Sequence, residues 1–582
     1  MKHCFPLIMS LSLLAACSTR PTANPDSDPI RINQVGYYAN QSKTAVIEAD
    51  GFADNYRLLD AATRQVVWEG PAARVANSSW SDKQRHIIDF STVAQPGNYL
   101  LEAGPYVKKV VIAQHPLHAV VLAATKAFYY QRSGEALESE FAGQWSRPMA
   151  HPDTCVLVHA SAATKKRPEG TVISSPSGWY DAGDYDKYIV NSGFTLGEMM
   201  LIYQLHPNYF NSLSLNIPES ANATPDVLDE MMVNLRWMLT MQDPDDGGVY
   251  HKLTTPNFEG FVMPDSCHQT RYVVQKGTAA SLDFAATMAM AARIYAQFDE
   301  YASFAKQAKS AAISAWKWAL KHPKTAYDQR TMNEKFAPAI NTGEYGDGSF
   351  RDEFFWAASE LYFTTGKAVY LNHARQNAPK SYTLPTWGQV DGLGLLSWLV
   401  QATYGFSPEA DRLGNRYARL VIDYCDELLA NMETSCYDSP YGNRPEDFGW
   451  GCLAEHCCGQ GLSFLFAHRM TSEPRYMTAA LKCADYLLGR NATGYCYVTG
   501  IGQKSPMHPH HRISTADGID APIPGLLVGG PNPGRQDGIS YTSELPDEAY
   551  MDVTESYASN EIAINWNAGL FALLGGLEAV VK

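Results

Sequence analysis

Two aspartates three positions apart, Asp181 and Asp184, lie in the segment 178–184, which also contains Gly, Trp and Tyr. Carboxylates this close raise each other's pKa, and a loop can direct both sets of oxygens at one water molecule. Asp and Gly are also common in turns and in calcium-binding loops, although the EF-hand spacing is absent here. The segment therefore predicts either a pair of carboxylates that activates water or a structural turn.

A further carboxylate, Glu561, has aromatic and apolar neighbours near the C-terminus, namely Tyr557, Ile562 and Trp566. Apolar surroundings keep a carboxyl group protonated at neutral pH, as a general acid requires. We predict that Glu561 lies on a helix that begins near Ser559. The alternative is a glutamate in the first turn of that helix, where the helix dipole would lower its pKa.

A cluster of basic side chains follows Met507, consisting of His508, His510, His511 and Arg512. Three histidines so close together suggest a metal site, but Pro509 prevents the regular i, i+4 helical geometry of H-E-x-x-H sites. A His/Arg cluster in a loop can also form hydrogen bonds with sugar hydroxyls or with a catalytic carboxylate. We favour this second interpretation.

The composition of the chain favours a neutral ligand. The 582 residues carry a formal net charge of −15, and aromatic residues reach 12%. An acidic chain without a run of Lys and Arg lacks electrostatic attraction for phosphate backbones, so we expect no nucleic-acid partner. Polar-tipped aromatic side chains suit surfaces that stack on hydroxylated ligands. Glycoside cleavage fits these features, because it needs one carboxyl group to protonate the leaving oxygen and another to activate water or attack carbon.

Two regions of different periodicity must position these groups. Residues 30–113 contain short β-rich runs separated by Gly and Pro, which is typical of a small all-β sandwich. From residue 116 onward the apolar spacing is helical. We predict helices from Pro225 and over 281–298, 301–321, 352–365, 410–430 and 474–488, with weaker patterns over 117–130, 191–205, 367–376, 391–403, 458–469 and 560–577. The long loops between them are 142–190, 242–277, 323–350, 431–457 and 491–558. The aromatic candidates outside the helices for stacking on sugar are Trp179, Tyr180, Trp387 and Tyr441.

The N-terminal segment predicts export. Its apolar stretch is too short to span a bilayer and is typical of a signal peptide over residues 1–16. The four residues 14–17, Leu-Ala-Ala-Cys, resemble the bacterial lipobox, so we predict a lipidated Cys17 followed by a Pro-rich tether to residue 29. An ordinary signal peptide is the alternative. We expect the protein in the bacterial cell envelope, anchored to a membrane (most simply the outer membrane) by lipid, or secreted.

Four segments together resemble glycoside hydrolase family 9. Residues 31–37 look like the opening of the immunoglobulin-like module that precedes the catalytic domain in one branch of that family. Residues 179–184 resemble its D-A-G-D region, and residues 550–568 match its second signature. Residues 499–512 follow the first signature, except that Cys496 stands where Ser, Thr or Val is usual. The resemblance covers most of the chain, from about residue 30 to residue 578.

The resemblance implies an immunoglobulin-like β-sandwich over residues 30–113 and a large all-α (α/α)6 barrel over residues 116–582. It also implies Asp184 as the catalytic base, Asp181 as its partner in holding water, and Glu561 as the proton donor. Members of the family invert the anomeric centre, which requires carboxyl groups roughly 6.5–9.5 Å apart. Other residues expected in the site are His510 and Asp552, as catalytic residues, and Arg512, Trp179, Tyr180, Tyr557 and Trp387, in substrate binding.

The resemblance further implies a structural calcium ion near Asp352 and Glu353, although a helix start also places acidic residues in this way. No cofactor is expected for the chemistry itself. We expect a monomeric endoglucanase that cleaves β-1,4-glucosidic bonds of cellulose-like β-glucans. The alternatives are a xyloglucanase, a cellobiose-releasing exo-enzyme or an exo-β-glucosaminidase. A non-catalytic surface lipoprotein that binds glycans is a further alternative, against which the intact carboxylates argue.

Overall fold

The computed structural model describes residues 28–48 and 55–581. The predicted signal peptide over residues 1–16 and the predicted lipidation site at Cys17 lie outside these described residues. In the part of the chain that is described, no helix combines the length and the apolar character needed to cross a membrane.

The N-terminal region is rich in β-strands, as the sequence predicts. Its strands are β1 (Ile30–Arg31), β2 (Tyr37–Tyr38), β3 (Thr44–Glu48), β4 (Tyr56–Asp60), β5 (Val66–Gly70), β6 (Arg74–Asn77), β7 (Gln84–Asp89), β8 (Gly97–Ala103) and β9 (Tyr106–Ala113). They form two sheets with the orders β1-β3-β7-β6 and β2-β9-β8-β4-β5. Ile47 and Ile88 of the first sheet share one hydrophobic core with Leu58, Leu101 and Val110 of the second. The two sheets therefore bury a common apolar layer.

A third sheet occupies segments that the sequence predicts as loops. It consists of β10 (Val156–Val158), β11 (Val172–Ile173), β12 (Lys187–Tyr188), β13 (Lys252–Thr254) and β14 (Tyr272–Val273), in the order β11-β10-β14-β13-β12. The loop prediction is wrong here because strands of two or three residues are too short to carry a periodic signal. Pairing of β12 with β13 sets Tyr188 opposite Lys252.

The remainder of the described chain is mainly helical. Its helices are α1 (His118–Tyr130), α2 (Ser139–Ala142), α3 (Ile189–Leu205), α4 (Pro207–Phe210), α5 (Asp226–Thr240), α6 (Thr278–Tyr295), α7 (Ala302–Lys321), α8 (Gln329–Asn333), α9 (Arg351–Thr365), α10 (Ala368–Asn377), α11 (Asp391–Thr403), α12 (Pro408–Met432), α13 (Gly459–Thr471), α14 (Pro474–Leu487), α15 (Arg512–Ala516), α16 (Tyr557–Asn560) and α17 (Ile564–Val580). The longer helices are those that the apolar spacing predicts, because each buries an apolar face in one extended core.

The last helix begins later than the sequence predicts. It starts at Ile564, and the three residues before it pair with other segments in an extended conformation. Glu561 forms an isolated β-bridge with His510, and Ala563 forms one with Ala182. The prediction that Glu561 lies on a helix is therefore wrong, and the stabilisation of its charge by a helix dipole does not apply.

A buried polar network joins the β-rich region to the helical region. The Asn33 side-chain amide and the Arg490 guanidinium each donate to one oxygen of Asp485, both over 2.8 Å. The Thr44 hydroxyl donates to Asp438 over 2.9 Å. A buried charge that loses its partner is costly, so this network fixes the two regions against each other.

Candidate active site

A cleft of about 810 Å³ opens in the helical region. It is lined by carboxylates, at Asp181, Asp184, Glu344, Glu455 and Glu561, and by aromatic rings, at Tyr188, Phe258, Tyr345, Trp387, Trp450, Tyr557 and Trp566. His510, Arg512 and Asn565 add further polar groups. Aromatic faces beside a few convergent polar groups are typical of a site for a hydroxylated ligand.

Asp181 and Asp184 are held by hydrogen bonds from neighbouring side chains. Asn191 donates to one oxygen of Asp181 over 2.8 Å, and the Tyr345 hydroxyl donates to the other over 2.7 Å. The Tyr188 hydroxyl donates to Asp184 over 3.2 Å. Burial raises the pKa of Asp181 to about 7, and burial together with the charge of Asp181 raises the pKa of Asp184. Both carboxyl groups are thus oriented, and burial favours the protonated form of each.

Gly183 allows the loop that carries both aspartates to lie directly against the C-terminal segment. A Cβ atom at this position would lie 2.1 Å from the carbonyl oxygen of His510, so only glycine fits. The Arg512 guanidinium donates to the Gly183 carbonyl oxygen over 2.8 Å. Ala182 forms a β-bridge with Ala563. These contacts bring together chain segments that are distant in the sequence.

Glu561 reaches the same cleft from the C-terminal segment. Its Oε1 atom would lie 3.2 Å from a Cβ atom placed on Gly183, the residue directly before Asp184. Burial, and to a smaller extent the charge of Asp184, raise the pKa of Glu561 to about 8. This carboxyl group therefore carries its proton at neutral pH, which is the state that a general acid needs.

His510 and Arg512 line the cleft, whereas the other histidines of the cluster do not. The Nδ1–H group of His510 donates to the Thr554 carbonyl oxygen over 2.7 Å, since a carbonyl can only accept. Burial lowers the pKa of His510, so Nε2 of the neutral ring is left as an acceptor. His511 is buried and contacts Gln131 through Nε2 at 3.1 Å. Of the described residues, no group suited to a metal ion includes these histidines.

The expected substrate contacts of Trp179 and Tyr180 are contradicted by the structure. Both side chains are 0% exposed. The Trp179 indole N–H donates to Glu230 over 2.8 Å, and the Tyr180 hydroxyl pairs with His151 over 2.8 Å. Tyr441, the fourth loop aromatic predicted to stack on sugar, is also 0% exposed. These rings belong to the protein core. The polar groups of Trp and Tyr side chains can form hydrogen bonds inside the protein as well as in a ligand cleft, so the residue type alone does not predict exposure.

Asp552 also differs from its expected catalytic position. Its carboxylate accepts hydrogen bonds from the backbone N–H groups of Met507 and His508, each over 2.9 Å. It also accepts one from the side-chain amide of Asn560 over 3.2 Å. It is absent from the described lining of the cleft. Asp552 therefore holds two loops together and does not face the cleft.

Several lining residues were not predicted from the sequence. Tyr345 packs edge-on against Trp387, with ring centroids 5.0 Å apart, and Trp450 packs against Tyr557 at 5.7 Å. Phe258 and Glu455 also line the cleft. The sequence gives only a weak indication of these residues. Tyr345 and Phe258 lie in segments predicted as loops, but a single aromatic residue in a loop is little evidence for a binding site. The expected residues Trp387 and Tyr557 do lie in the cleft.

A second acidic cluster lies outside the cleft. Ligand oxygens of Asp347, Asp352 and Glu353 lie within 4.8 Å of one another. The charges of Asp352 and Asp347 act on Asp283. Among the described residues, neither buried oxygen of Asp283 has a hydrogen-bond partner, and Oε2 of Glu353 also lacks one. Burial raises the pKa of both Asp283 and Glu353. Unpartnered buried carboxylates of this kind fit a hard divalent cation that prefers oxygen ligands.

Comparisons with known proteins show the family to which the chain belongs. The model of "Glycosyl hydrolase family 9" matches residues 118–574, and that of the "Cellulase N-terminal ig-like domain" matches residues 26–107. A xyloglucan-specific endo-beta-1,4-glucanase of Bacteroides ovatus is 52% identical over 571 residues, which cover 98% of this chain and 97% of that protein. Endoglucanase D of Acetivibrio thermocellus is 33% identical over 94% of this chain and 83% of its own length.

Solved structures give the same result. A family 9 glycoside hydrolase structure from Bacteroides ovatus superposes with a TM-score of 0.92 at 51% identity and covers 95% of this chain and 100% of its own. A thermostable endoglucanase from Alicyclobacillus acidocaldarius superposes with a TM-score of 0.83 at 30% identity, over 95% of this chain and 99% of its own.

Proposed function

Since this chain belongs to glycosyl hydrolase family 9 and hydrolyses β-1,4-glucans as an endoglucanase, we propose that Asp184 and Glu561 carry out the reaction with inversion. Asp184 takes a proton from a water molecule whose oxygen attacks the anomeric carbon. Glu561 gives its proton to the leaving glycosidic oxygen as the bond from carbon to that oxygen breaks. The observation that carries this proposal is that both carboxyl groups line one cleft while burial raises the pKa of Glu561 to about 8.

The neighbouring groups receive supporting roles in this proposal. Asp181 helps to hold the water, because its carboxyl is fixed beside Asp184 by Asn191 and Tyr345. His510 and Arg512 bind sugar hydroxyls. Tyr557 and Trp387 contact sugar rings, since both line the cleft and aromatic faces pack against pyranose C–H groups.

We propose xyloglucan as a substrate, because the Bacteroides ovatus relative that is 52% identical is named for that glycan. Product analysis on xyloglucan, carboxymethyl-cellulose, cellopentaose and chitosan oligomers tests this. An endo-acting xyloglucanase should shorten xyloglucan rapidly and release few small products at first. Release of cellobiose alone would indicate an exo-enzyme, and cleavage confined to chitosan oligomers would indicate a glucosaminidase. Binding to glucan without any new reducing ends would overturn the catalytic proposal.

Inversion makes a direct prediction about the products. Water that attacks from the face opposite the leaving oxygen converts a β-linkage into an α-anomer. Proton NMR of a fresh digest should therefore show the α-anomer first, followed by slow mutarotation to the equilibrium mixture. Initial appearance of the β-anomer would contradict the assignment of Asp184 as a base that acts through water.

We propose calcium as the cation of the acidic cluster at Asp347, Asp352 and Glu353, whose charges also act on Asp283. A ligand that binds only the folded state stabilises it, so calcium at about 100 times its Kd should raise Tm by about 3 °C. Thermal unfolding with calcium and with a chelator measures this. The double variant Asp283→Asn/Glu353→Gln should unfold at the same temperature in both. Equal Tm values for the wild-type protein in both conditions would refute the proposed calcium site.

We further propose that the helices of residues 116–582 form an (α/α)6 barrel, with the immunoglobulin-like module over residues 30–113. Export and a lipid anchor at Cys17 are also proposed, on the lipobox-like segment and the Pro-rich stretch after it. Radiolabelled fatty acid should be incorporated into the wild-type chain and not into Cys17→Ser. Equal labelling of both chains would leave the anchor without support.

A further inference from the structure

Lys252 is a buried cation directly behind the cleft. It lies on β13 opposite Tyr188 and is 0% exposed. Among the described residues, the acceptors of its Nζ are neutral: Gln329 Oε1 at 2.7 Å, Thr342 Oγ1 at 2.8 Å and the Gly343 carbonyl oxygen at 2.5 Å. In the described part of the chain, no carboxylate lies within ion-pair distance of it. A buried ammonium group in such surroundings needs negative charge nearby, because burial is unfavourable for an isolated charge.

That negative charge is present in the aspartate loop. Asp181, Asp184 and Asp186 are all buried, and within the described residues none of the three forms an ion pair. Asp186 accepts the backbone N–H group of Thr255, the residue directly after β13, over 2.9 Å. Lys252 on β13 thus lies next to β12, the strand that directly follows the three buried aspartates in the chain. The buried cation and the buried carboxyl groups each reduce the cost of burying the other.

Two chains of contacts lead from Lys252 to the reacting groups. The first passes through Tyr188, whose ring lies 5.4 Å from Nζ and whose hydroxyl donates to Asp184 over 3.2 Å. The second passes through Thr342 and Gly343, which accept hydrogen bonds from Nζ and lie three and two positions before Tyr345. The Tyr345 hydroxyl donates to Asp181 over 2.7 Å.

We propose that Lys252 is a positioning residue for the hydrolysis, which adds to the positive charge of Arg512 and so favours the ionised form of the buried Asp184. It also fixes the tyrosines that orient Asp184 and Asp181. The inference rests on the proposed role of Asp184 as base. Lys252 itself is absent from the described lining of the cleft, so it acts through these residues and not on the sugar.

The direction of the electrostatic effect follows from the charges. Burial lowers the pKa of Lys252, and the charges of Asp186 and Asp184 oppose that shift. The same attraction favours the ionised form of the aspartates. Loss of the ammonium charge therefore raises the pKa of the base, and more of the enzyme is inactive at acidic pH. The other charged or titratable groups that act on this cluster are Glu561, Arg512, Arg271, Glu344, Tyr188 and Tyr345.

The test is the pH dependence of kcat/KM on a soluble β-1,4-glucan for Lys252→Met, which keeps the length of the side chain and removes its charge. The acidic limb of this profile, over which activity falls as the base becomes protonated, should move to higher pH by about one unit. At a pH on that limb kcat should fall about tenfold, with KM nearly unchanged, because Lys252 does not contact the substrate. Lys252→Arg keeps the charge and should retain an acidic limb close to that of the wild type.

Lys276→Met is the matched control. Lys276 is also a buried lysine beside a tyrosine ring, 5.4 Å from that of Tyr250, but it pairs with Asp243 at 2.6 Å. This variant should lose stability without moving the acidic limb. An equal shift in both variants would mean a general effect of buried lysines and would overturn the inference.

Gln329→Glu provides a second test if Lys252→Met does not fold. It introduces a carboxylate at the oxygen that now lies 2.7 Å from Nζ, so it neutralises the charge while keeping the lysine. The acidic limb should again move to higher pH. An unshifted limb in folded Lys252→Met, or in Gln329→Glu when the first variant is unfolded, refutes the inference. Retained activity in Asp184→Asn would instead refute the proposed function, so the two failures are distinguishable.

Discussion

Glu561→Gln is expected to lower turnover of β-1,4-glucan by about 10²–10⁴-fold, the contribution typical of a general acid. Glutamine keeps the shape of the side chain but has no acidic proton for the leaving oxygen. Since burial raises the pKa of Glu561 to about 8, wild-type activity should decline as pH rises through about 8. That basic limb should be missing from the variant. The measurement is kcat/KM against pH, with thermal unfolding to verify the fold.

An activated substrate separates loss of the proton donor from general damage. A dinitrophenolate leaves without protonation, so the defect of Glu561→Gln on a dinitrophenyl cello-oligosaccharide should shrink to about tenfold or less. Glu555→Gln is the matched control, because Glu555 is an exposed glutamate in the same segment and is absent from the described lining of the cleft. It should change turnover by less than about twofold. Equal losses for Glu561→Gln on both substrates would exclude a role as acid.

Asp184→Asn is expected to lower turnover by a similar factor, about 10²–10⁴-fold, but on both kinds of substrate. Water must attack the anomeric carbon whichever group leaves, and an amide cannot accept the proton. The loss of activity should not be accompanied by a loss of stability. Burial raises the pKa of Asp184 above its value in the unfolded chain, so ionisation above that unfolded value opposes folding. The uncharged variant should therefore have an unchanged or higher Tm at pH 7.

Asp552→Asn gives the contrasting pattern. Its carboxylate accepts hydrogen bonds from two backbone N–H groups and one side-chain amide outside the described lining of the cleft. Replacement should lower Tm, since hydrogen bonds to a charged acceptor contribute about 1.5–3 kcal/mol each. Any loss of turnover should be smaller than in Asp184→Asn. A low Tm together with nearly normal activity in Asp184→Asn would show that Asp184 is structural and that the base lies elsewhere.

Much of the architecture could be predicted because its signals are local. The long amphipathic helices, such as α12 (Pro408–Met432), are visible in the spacing of apolar residues. The β-rich start of the chain is visible in short runs between Gly and Pro. The motifs around Asp184 and Glu561 could be recognised as they stand, although 377 positions separate them in the sequence.

The sequence alone therefore determined the longer helices, the β-rich N-terminal region, the family and the pair of candidate catalytic carboxyl groups. Only the tertiary structure decided that Trp179 and Tyr180 are buried, that Tyr345 and Trp450 line the cleft, and that Lys252 lies opposite Tyr188. The physical reason is that periodicity and turn chemistry depend on neighbours in the chain. Exposure of a ring and the pKa of a carboxyl depend on which distant segments pack around them.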